Sequence, residues 1–262
     1  MAILNCTPDS FSDGGTCMSV EAAVALGRAA RENGACVLDV GGESTRPGAE
    51  AVSAAEELRR VIPVIRALVE RVGLPVSVDT RKAEVFEAAW AAGASMLNDV
   101  SGLADDPALA SAAAQTDAAV VVMHMRSTPA DMAAHAHYAD VVVEVRAELE
   151  LALLRAARAG IAADRLIADP GLGFAKDTAH NLDILRRLGE FRSLGVPLLL
   201  GPSRKRFLGS ITGRTQPRER DVATAALLAT LAGAGVALFR VHDVAAARDA
   251  LLVARALGAG AA

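Results

Sequence analysis

Eight short apolar runs alternate along the chain with longer stretches of helical periodicity. Each run is rich in valine, leucine and isoleucine and is nearly continuous, without regular alternation with polar residues. Such runs are typical of parallel strands whose two faces are both covered. The pattern therefore predicts repeated strand–helix units in which every strand is buried.

The apolar runs end in polar or charged side chains. The residues that end the eight runs are, in order, Asn5, Asp39, Asp79, Asn98, His124, Asp169, the 201–205 turn, and Arg240 with His242. In a (β/α)8 barrel, functional groups lie just beyond the carboxyl ends of the strands. The pattern predicts an α/β fold, a single-domain (β/α)8 TIM barrel over residues 1–262, with its active site at the C-terminal ends of the strands.

A doubly wound open sheet is the main rival fold. It needs a reversal of strand order, which a sequence cannot show, and it usually carries a GxGxxG fingerprint after the first strand. The segment Asn5–Asp13 does not contain that fingerprint. Eight strand–helix units therefore favour a closed barrel.

Capping residues predict where several helices begin. Ser19, Ser53, Asp106 and Asp243 each precede a helical stretch and carry side chains that can accept a hydrogen bond from the first turn. Pro63 lies inside the second helix and predicts a kink or a division there. After strand seven we expect a basic turn over 201–206 and then a helix over 219–232.

Composition narrows the class of function. Aromatic residues make up only 3% of the chain and the net charge is −4, which argues against nucleic-acid binding. An odd number of cysteines without a CxxC motif, and a start unlike a signal peptide, predict a cytoplasmic protein. Residues 222–239 are uncharged, but Gly233 and Gly235 divide them into a helix end and a strand, so no membrane span is expected.

Two loops are longer and more polar than a minimal strand–helix connection. They are Thr7–Gly15 and Gly41–Gly48. Such loops are either lids that exclude water from a site or solvated surface loops. Phe11 favours a lid, because an aromatic ring in a polar loop often packs over another group.

Three side chains at strand ends could form hydrogen bonds to the edge of a flat, amide-like heterocycle. Asp79 and Asp169 can accept paired N–H donors, and Asn98 can both donate and accept. The alternative is that each one caps the following helix. Their coincidence with a downstream basic turn favours a binding site.

The cationic residues near strands seven and eight suggest an anion site. The 201–206 turn lacks the phosphate-loop motif, and its cations could be solvated. Arg240 and His242 alternate at the end of strand eight and would project together, in the region where barrels often hold phosphate. Asn5, on the neighbouring first strand, could add a metal ligand. For His124, the sequence leaves both a catalytic and a structural role possible. The remaining histidines do not have the spacing of a metal site.

The same segments closely resemble the dihydropteroate synthase family of the pterin-binding superfamily. The resemblance runs from the first residues to the helix after strand eight. The stretches that carry it are 5–15 (NCTPDSFSDGG), 39–48 (DVGGESTRPG), 77–80 (SVDT), 98–99 (ND), 169–174 (DPGLGF), 203–205 (SRK) and 240–243 (RVHD). The two long loop motifs are highly specific when they occur together, whereas the SRK motif alone would be weak.

The resemblance implies a transferase of folate biosynthesis. It would join 4-aminobenzoate to dihydropterin pyrophosphate and release diphosphate, and sulfonamides would target it. The family also implies Mg²⁺ as cofactor, small-molecule substrates as the only partners besides a second subunit in a homodimer, and no binding to nucleic acid or membrane. An SN1-like path follows as a hypothesis, because the aniline is a weak nucleophile and carboxylates could stabilise a pterin cation.

The resemblance also implies the site residues. Asp79, Asn98, Asp169 and Lys205 would line the pterin pocket, and Asn5 would bind Mg²⁺. Arg240 and His242, together with Asn5, would hold the diphosphate, and Ser203 of the SRK motif would be a further substrate-binding residue. Residues expected near aminobenzoate are Thr45 and Arg46 of the second lid, Phe11, Pro47 and Phe174 around the ring, and Arg206 near the carboxylate. The implied catalytic set is Asp79, Asp169, Lys205, Arg240 and His242.

Four positions depart from the family pattern. Cys6 stands where valine is usual, and Arg206 stands where some relatives have serine. Ser127 and Ala175 stand where glycine is common, and Ala175 would narrow the approach if its position needs an unusual φ. None of the departures removes a motif residue.

Two other functions remain to be weighed. A methyltetrahydrofolate-dependent methyltransferase of the same superfamily would share the acid and amide pocket. It would not need the Arg240–His242 pair or the long first loop, and both are present. A non-catalytic pterin-binding subunit would be expected to have lost loop or clamp residues, and none is missing.

Overall fold

The structure is a computed structural model that describes residues 1–7, 18–45 and 48–258, and within them strands and helices alternate. The strands are β1 (Ala2–Asn5), β2 (Leu38–Gly41), β3 (Val76–Asp79), β4 (Met96–Asp99), β5 (Ala119–Met123), β6 (Leu166–Asp169), β7 (Leu198–Leu200) and β8 (Val236–Phe239). The helices are α1 (Val20–Glu32), α2 (Ala54–Arg71), α3 (Ala83–Ala91), α4 (Leu109–Ala114), α5 (Val141–Ala159), α6 (Thr178–Arg186), α7 (Arg206–Thr212), α8 (Asp221–Leu231) and α9 (Val244–Ala256).

The strands form one parallel sheet in sequential order that closes on itself. Each strand pairs with the next from β1 to β8. Just after β8, the Val241 carbonyl accepts a hydrogen bond from the Ile3 amide at 3.0 Å, and the Val241 amide donates to the Met1 carbonyl at 3.0 Å. These bonds join the last strand to the first, which confirms the (β/α)8 barrel.

Strand register places the polar strand ends side by side. Asp79 lies between Gly41 on β2 and Asn98 on β4, and Asp169 on β6 pairs in register with Met123 on β5. In parallel strands the carboxyl ends share one edge of the sheet. The barrel therefore gathers the residues that end separate sequence runs at a single mouth.

Three of the four predicted helix caps are confirmed, because Ser19 accepts a hydrogen bond from Ala22, Ser53 from Glu56 and Asp243 from Ala246. The prediction for Asp106 is wrong, because its side chain accepts from Ala108 at 2.9 Å in the turn before α4, and the helix itself begins only at Leu109. The expected division of α2 at Pro63 also does not occur, because the helix is continuous over Ala54–Arg71. Pro63 and Arg59 are both exposed, so water can reach the carbonyl that loses its helical hydrogen bond.

The segment after β7 departs from the expected turn. Lys205 precedes a short helix, α7, and a 3-10 turn over Pro217–Arg220 then leads into α8. The apolar 222–239 stretch divides as expected, because α8 ends at Leu231 and β8 begins at Val236. In the part of the chain described, no helix is both long and apolar enough to span a membrane.

Candidate active site

A cavity with about 330 Å³ of empty space, part of it open to solvent, lies at the carboxyl ends of the strands. Seven residues singled out from the sequence line it: Thr45, Asp79, Asn98, Asp169, Phe174, Lys205 and Arg240. Its other lining residues, which the sequence reasoning missed, are Val100, Met123, Leu172 and Gly201. The lining thus combines carboxylates, an amide and cations with apolar walls, as suits a flat heterocycle with polar edges.

Asp39 organises one side of the cavity although it does not line it. Its buried carboxylate oxygen Oδ2 accepts from Arg240 Nε at 2.6 Å and from Asn98 Nδ2 at 3.1 Å. Arg240 Nη2 also donates to Asp79 Oδ2 at 2.7 Å. One guanidinium therefore bridges two carboxylates, and Asp39, which the sequence left unassigned, positions both Arg240 and Asn98.

Burial makes the cavity acids unusually easy to protonate. Burial raises the pKa of Asp79 to about 7, against the lowering effect of Arg240. Burial also raises the pKa of Asp169 to about 6, although the Gly171 amide and the charge of Lys205 oppose the rise. An ionised carboxylate in such a place is poorly solvated, so a cationic group brought next to it is strongly stabilised.

Asp169 begins a tight loop that also carries Phe174. Its Oδ1 accepts from the Gly171 amide at 2.8 Å in a local turn, whereas the following helix, α6, is capped by Asp177, so Asp169 is not a helix cap. Lys205 Nζ lies 4.0 Å from the centroid of the Phe174 ring, a cation–π contact. Burial lowers the pKa of Lys205 to about 8, and Arg240 adds to that effect.

His242 and Ser203 form a hydrogen-bonded pair, and His242 lines a separate recess with Arg204 and Asp243. The Ser203 hydroxyl lies 2.9 Å from His242 Nδ1 and accepts from the His242 backbone amide at 3.1 Å. A hydroxyl that donates to Nδ1 leaves the proton on Nε2, which can then donate to an anion. Neither residue lines the cavity itself.

The basic turn separates into three different environments. Lys205 lines the cavity, whereas Arg204 is turned away and forms a bidentate pair with Asp221 at 2.7 and 2.8 Å. Arg206 is the first residue of α7 and is exposed, outside the cavity lining. Only one of the three adjacent cations therefore lies in the cavity wall.

An ion-pair cluster holds the loop after β2. Glu43 is paired with Arg81 at 2.6 Å and with Lys82, and Lys82 Nζ also reaches the buried Glu57 at 2.5 Å. Arg81 and Lys82 directly follow Asp79 and Thr80 at the end of β3. The cluster therefore joins the loop that carries Thr45 to the strand end that carries Asp79.

The expected metal ligand, Asn5, is half-buried at the carboxyl end of β1, outside the cavity lining. Over the described ranges, no group of three or more His, Cys, Asp or Glu side chains could hold a metal ion. Mg²⁺ often takes only one or two protein oxygens and completes its shell with water and substrate phosphates. The amide oxygen of Asn5 is of the ligand type that this mode of binding uses.

Three predicted site residues lie outside the described residues. They are Phe11 of the first loop and Arg46 and Pro47 of the second. Their proposed contacts with aminobenzoate therefore remain predictions from the sequence.

Comparison with known proteins agrees with this geometry. The sequence model of the family described as pterin binding enzyme matches residues 1–242. The dihydropteroate synthase of Synechocystis sp. is 44% identical over 257 residues, 98% of this chain and 89% of that protein. The dihydropteroate synthase of Escherichia coli is also 44% identical, over 256 residues that make up 98% of this chain and 90% of that protein.

Solved structures give the same result. Xanthomonas albilineans dihydropteroate synthase with 4-aminobenzoic acid is 52% identical and has a TM-score of 0.91, covering 98% of this chain and 92% of that one. The fold and the cavity thus define a pterin-binding enzyme. More narrowly, the chain belongs to the dihydropteroate synthase family, which confirms the resemblance seen in the sequence.

Proposed function

We propose that this protein is a transferase that condenses 7,8-dihydropterin pyrophosphate with 4-aminobenzoate to give 7,8-dihydropteroate and diphosphate. The observation that carries the proposal is the convergence of Asp79, Asn98, Asp169, Lys205 and Arg240 on one cavity. Xanthomonas albilineans dihydropteroate synthase has been solved with 4-aminobenzoic acid and, separately, with 7,8-dihydropteroate. Its likeness to this chain supports the same substrates here.

The cavity suits a pterin ring. The carboxylates of Asp79 and Asp169 can accept N–H donors from its amide-like edge, and Asn98 can pair with a neighbouring donor and acceptor. Asn98 is held in place by Asp39. A fixed amide loses less freedom on binding than a mobile one, so the pocket is preorganised for the heterocycle.

The diphosphate would lie between Arg240 and His242. Arg240 can form paired hydrogen bonds to phosphate oxygens, and the Ser203 hydroxyl leaves His242 Nε2–H as a donor. Asn5 would hold Mg²⁺ through its amide oxygen. When bound there, Mg²⁺ would supply positive charge that lowers the energy of the departing diphosphate.

The reaction would begin with cleavage of the bond from the exocyclic pterin carbon to the diphosphate oxygen. Both electrons leave with the diphosphate, whose charge Arg240 and His242 stabilise. The positive charge left on the pterin lies close to Asp79 and Asp169, whose buried carboxylates favour a nearby cation. The aniline nitrogen then attacks the carbon and releases its proton to water or diphosphate.

The aminobenzoate would bind above the pterin, next to the two strand-end loops. Thr45 and Phe174, which line the cavity, would contact the aminobenzoate there. Phe11, Arg46 and Pro47 would complete the enclosure, and Arg206 would pair with the substrate carboxylate at long range. Water excluded by the loops could not trap the cationic intermediate.

A coupled assay of diphosphate release tests the function. Release should require dihydropterin pyrophosphate, 4-aminobenzoate and Mg²⁺, with each omitted in turn. Isotope exchange between bridging and non-bridging diphosphate oxygens without aminobenzoate tests the order of steps. Its strict absence would count against cleavage before attack. A methyltransferase would transfer a methyl group and release no diphosphate.

We also propose a homodimer in the cytoplasm. Val222 on α8 and Leu252 and Val253 on the neighbouring α9 are exposed apolar side chains that a second subunit could cover. The odd number of cysteines suits a reducing compartment. Sedimentation equilibrium would report the mass in solution, and a monomer at micromolar concentration would contradict the dimer.

A further inference from the structure

Lysine is rare in this chain, and its positions are not random. Only three lysines occur among 27 lysine and arginine residues. Lys82, Lys176 and Lys205 follow β3, β6 and β7, so all three lie at the end of the barrel that holds the cavity. Lys205 lines the cavity and Lys82 holds the loop after β2, whereas nothing above has used Lys176.

Lys176 is buried and binds the loop that follows β6. Its Nζ donates to the carbonyl oxygens of Gly171 at 3.1 Å and Phe174 at 2.9 Å. The same Nζ lies 2.8 Å from His124 Nδ1, at the end of β5. One ammonium group thus joins both ends of the 171–174 loop to the neighbouring strand.

The histidine in this contact is neutral. Burial, the largest cause, and the charge of Lys176 together lower the pKa of His124 to about 4, against the raising effect of Glu148. Nδ1 therefore accepts from Lys176 while Nε2–H donates to Glu148 Oε2 at 2.9 Å. Glu148 is in turn held by Arg126 Nε at 3.0 Å. The chain of contacts runs from the surface of α5 to the loop.

The shape of the loop decides where cavity groups point. Gly171 donates its amide to Asp169 Oδ1 and approaches the His124 carbonyl so closely that a Cβ atom there would lie 2.0 Å from the oxygen. Leu172 and Phe174 line the cavity from the same loop. A shift of the loop would therefore move a carboxylate and two walls of the site together.

We propose that Lys176 is a positioning residue of this active site, which holds Asp169 and Phe174 in their reactive arrangement by binding the Gly171 and Phe174 carbonyls against neutral His124. This inference rests on the proposed function, because it assigns Lys176 a part in the same pterin pocket. Because the Lys176 side chain carries a charge, it also affects the pKa of the neighbouring Asp169 carboxylate.

The charged groups that face Lys176 are Asp169, Glu148, Arg126 and Lys205. Burial lowers the pKa of Lys176 to about 7, and the two carboxylates oppose that shift. In return, the charge of Lys176 helps to lower the pKa of Asp169, after the Gly171 amide and Lys205. Removal of the ammonium should therefore raise the pH at which Asp169 ionises.

Lys176→Met keeps the side-chain length and removes the charge. We expect kcat/KM for dihydropterin pyrophosphate to fall by about 10- to 100-fold, as for other small misplacements of reacting groups. The acid limb of its pH profile should also move to higher pH. Asn181→Ala is the matched control, because Asn181 Oδ1 holds the Gly173 amide of the same loop at 2.7 Å without any charge. It should lower activity and leave the acid limb in place.

Two kinetic outcomes would overturn the proposal. Activity equal to that of the parent would show that the loop does not need Lys176. A fall in activity with an unmoved acid limb would reduce Lys176 to a packing role. If the parent released no diphosphate, the proposed function itself would fail, so the two failures are distinguishable.

A measurement on the parent protein keeps the test valid if Lys176→Met does not fold. Lysine labelled with ¹³C at Cε should give three side-chain signals, assigned with Lys82→Arg and Lys205→Arg. The Lys176 signal should titrate far below 10.5, and Glu148→Gln, a change on the surface of α5, should lower its midpoint further. A midpoint near 10.5 would show that Lys176 is not buried against His124, and a midpoint that Glu148→Gln does not change would show that its charge is not coupled to Glu148; either result would overturn the proposal.

Discussion

Asp79 combines two tasks in one carboxylate. It lines the cavity and also accepts a hydrogen bond from Arg240, the residue proposed to hold the leaving group. Because one guanidinium bridges Asp39 and Asp79, the pterin pocket and the diphosphate clamp are electrostatically linked. A change at Asp79 should therefore affect pterin binding first.

Asp79→Asn should weaken binding of a pterin ligand by about 1–3 kcal/mol, roughly 5- to 150-fold in Kd, because an N–H donor loses its charged acceptor. Calorimetric titration with a pterin measures this directly. Asp164→Asn is the control, since Asp164 is exposed at the opposite end of β6. An unchanged Kd for Asp79→Asn would mean that Asp79 serves only to hold Arg240.

Ala175 has φ +47°, a left-handed conformation that favours glycine. Ala175→Gly should change the free energy of unfolding by less than about 1 kcal/mol, because relief of about 1–3 kcal/mol of backbone strain offsets the lost methyl group and added chain entropy. Ala175→Val should lose about 2 kcal/mol or more. Denaturant unfolding measures both.

The control for Ala175 is Ala89→Gly, in the buried interior of α3. That change should cost about 1–2 kcal/mol, because no strain is relieved there. If Ala175→Gly costs as much as Ala89→Gly, the strain at Ala175 is negligible. Ser127 has φ +63°, so both positions where the family commonly has glycine are left-handed in this chain.

The loops at the mouth of the barrel are held by elements next to them in space. The loop after β2 is tied by Glu43 to Arg81 and Lys82, which follow β3. The loop after β6 is tied by Lys176 to His124, which follows β5. Neighbouring strands thus set the position of each other's loops.

Glu43→Gln should loosen the loop that carries Thr45 and leave Lys82 neutralised by Glu57. We expect KM for 4-aminobenzoate to rise by about tenfold while pterin affinity changes less than about twofold, since about 1.4 kcal/mol of loop order would be lost. Steady-state kinetics with each substrate varied measures the difference. Glu21→Gln, which removes an exposed pair with Arg71, should change neither value. Equal loss for both substrates would contradict a role limited to the loop.

At the scale of the whole molecule, the buried carboxylates of the site lower the stability of the folded protein at neutral pH. Asp79 and Asp169 have raised pKa values because of burial, so their ionisation is easier in the unfolded chain than in the folded one. The stability they contribute is fully present below about pH 4, the pKa of an aspartate in the unfolded chain. It is lost as the pH rises through about 6 and 7, the pKa values of Asp169 and Asp79 in the folded protein. The ligand-free protein therefore carries an electrostatic cost at neutral pH.

Asp79→Asn should remove the part of this electrostatic destabilisation that ionised Asp79 causes. The difference in free energy of unfolding, variant minus parent, should increase from pH 5 to pH 7 by up to about 1.4 kcal/mol per pH unit. Thermal unfolding across that range, without ligand, measures it. A difference that does not change with pH would show that Asp79 titrates normally in the folded protein.

Much of the architecture could be read from the chain. Buried strands in a covered parallel sheet must be apolar on both faces, so eight such runs and their capped helices predicted the barrel, and polar residues at Asp79, Asn98 and Asp169 predicted its mouth. Local hydrogen-bonding rules placed Ser19, Ser53 and Asp243 at the helix starts. These features depend on neighbours within a few residues, which a sequence displays.

The partnerships across the barrel could not be read in this way. Asp39 holds Arg240, 201 residues later in the chain, and Lys176 holds a loop against His124, 52 residues earlier. Arg204, Lys205 and Arg206 are adjacent in sequence, yet only Lys205 lines the cavity, because Arg204 pairs with Asp221 and Arg206 is exposed on α7. Such pairings arise when closure of the sheet brings distant strand ends together, and burial then decides which charges stay ionised.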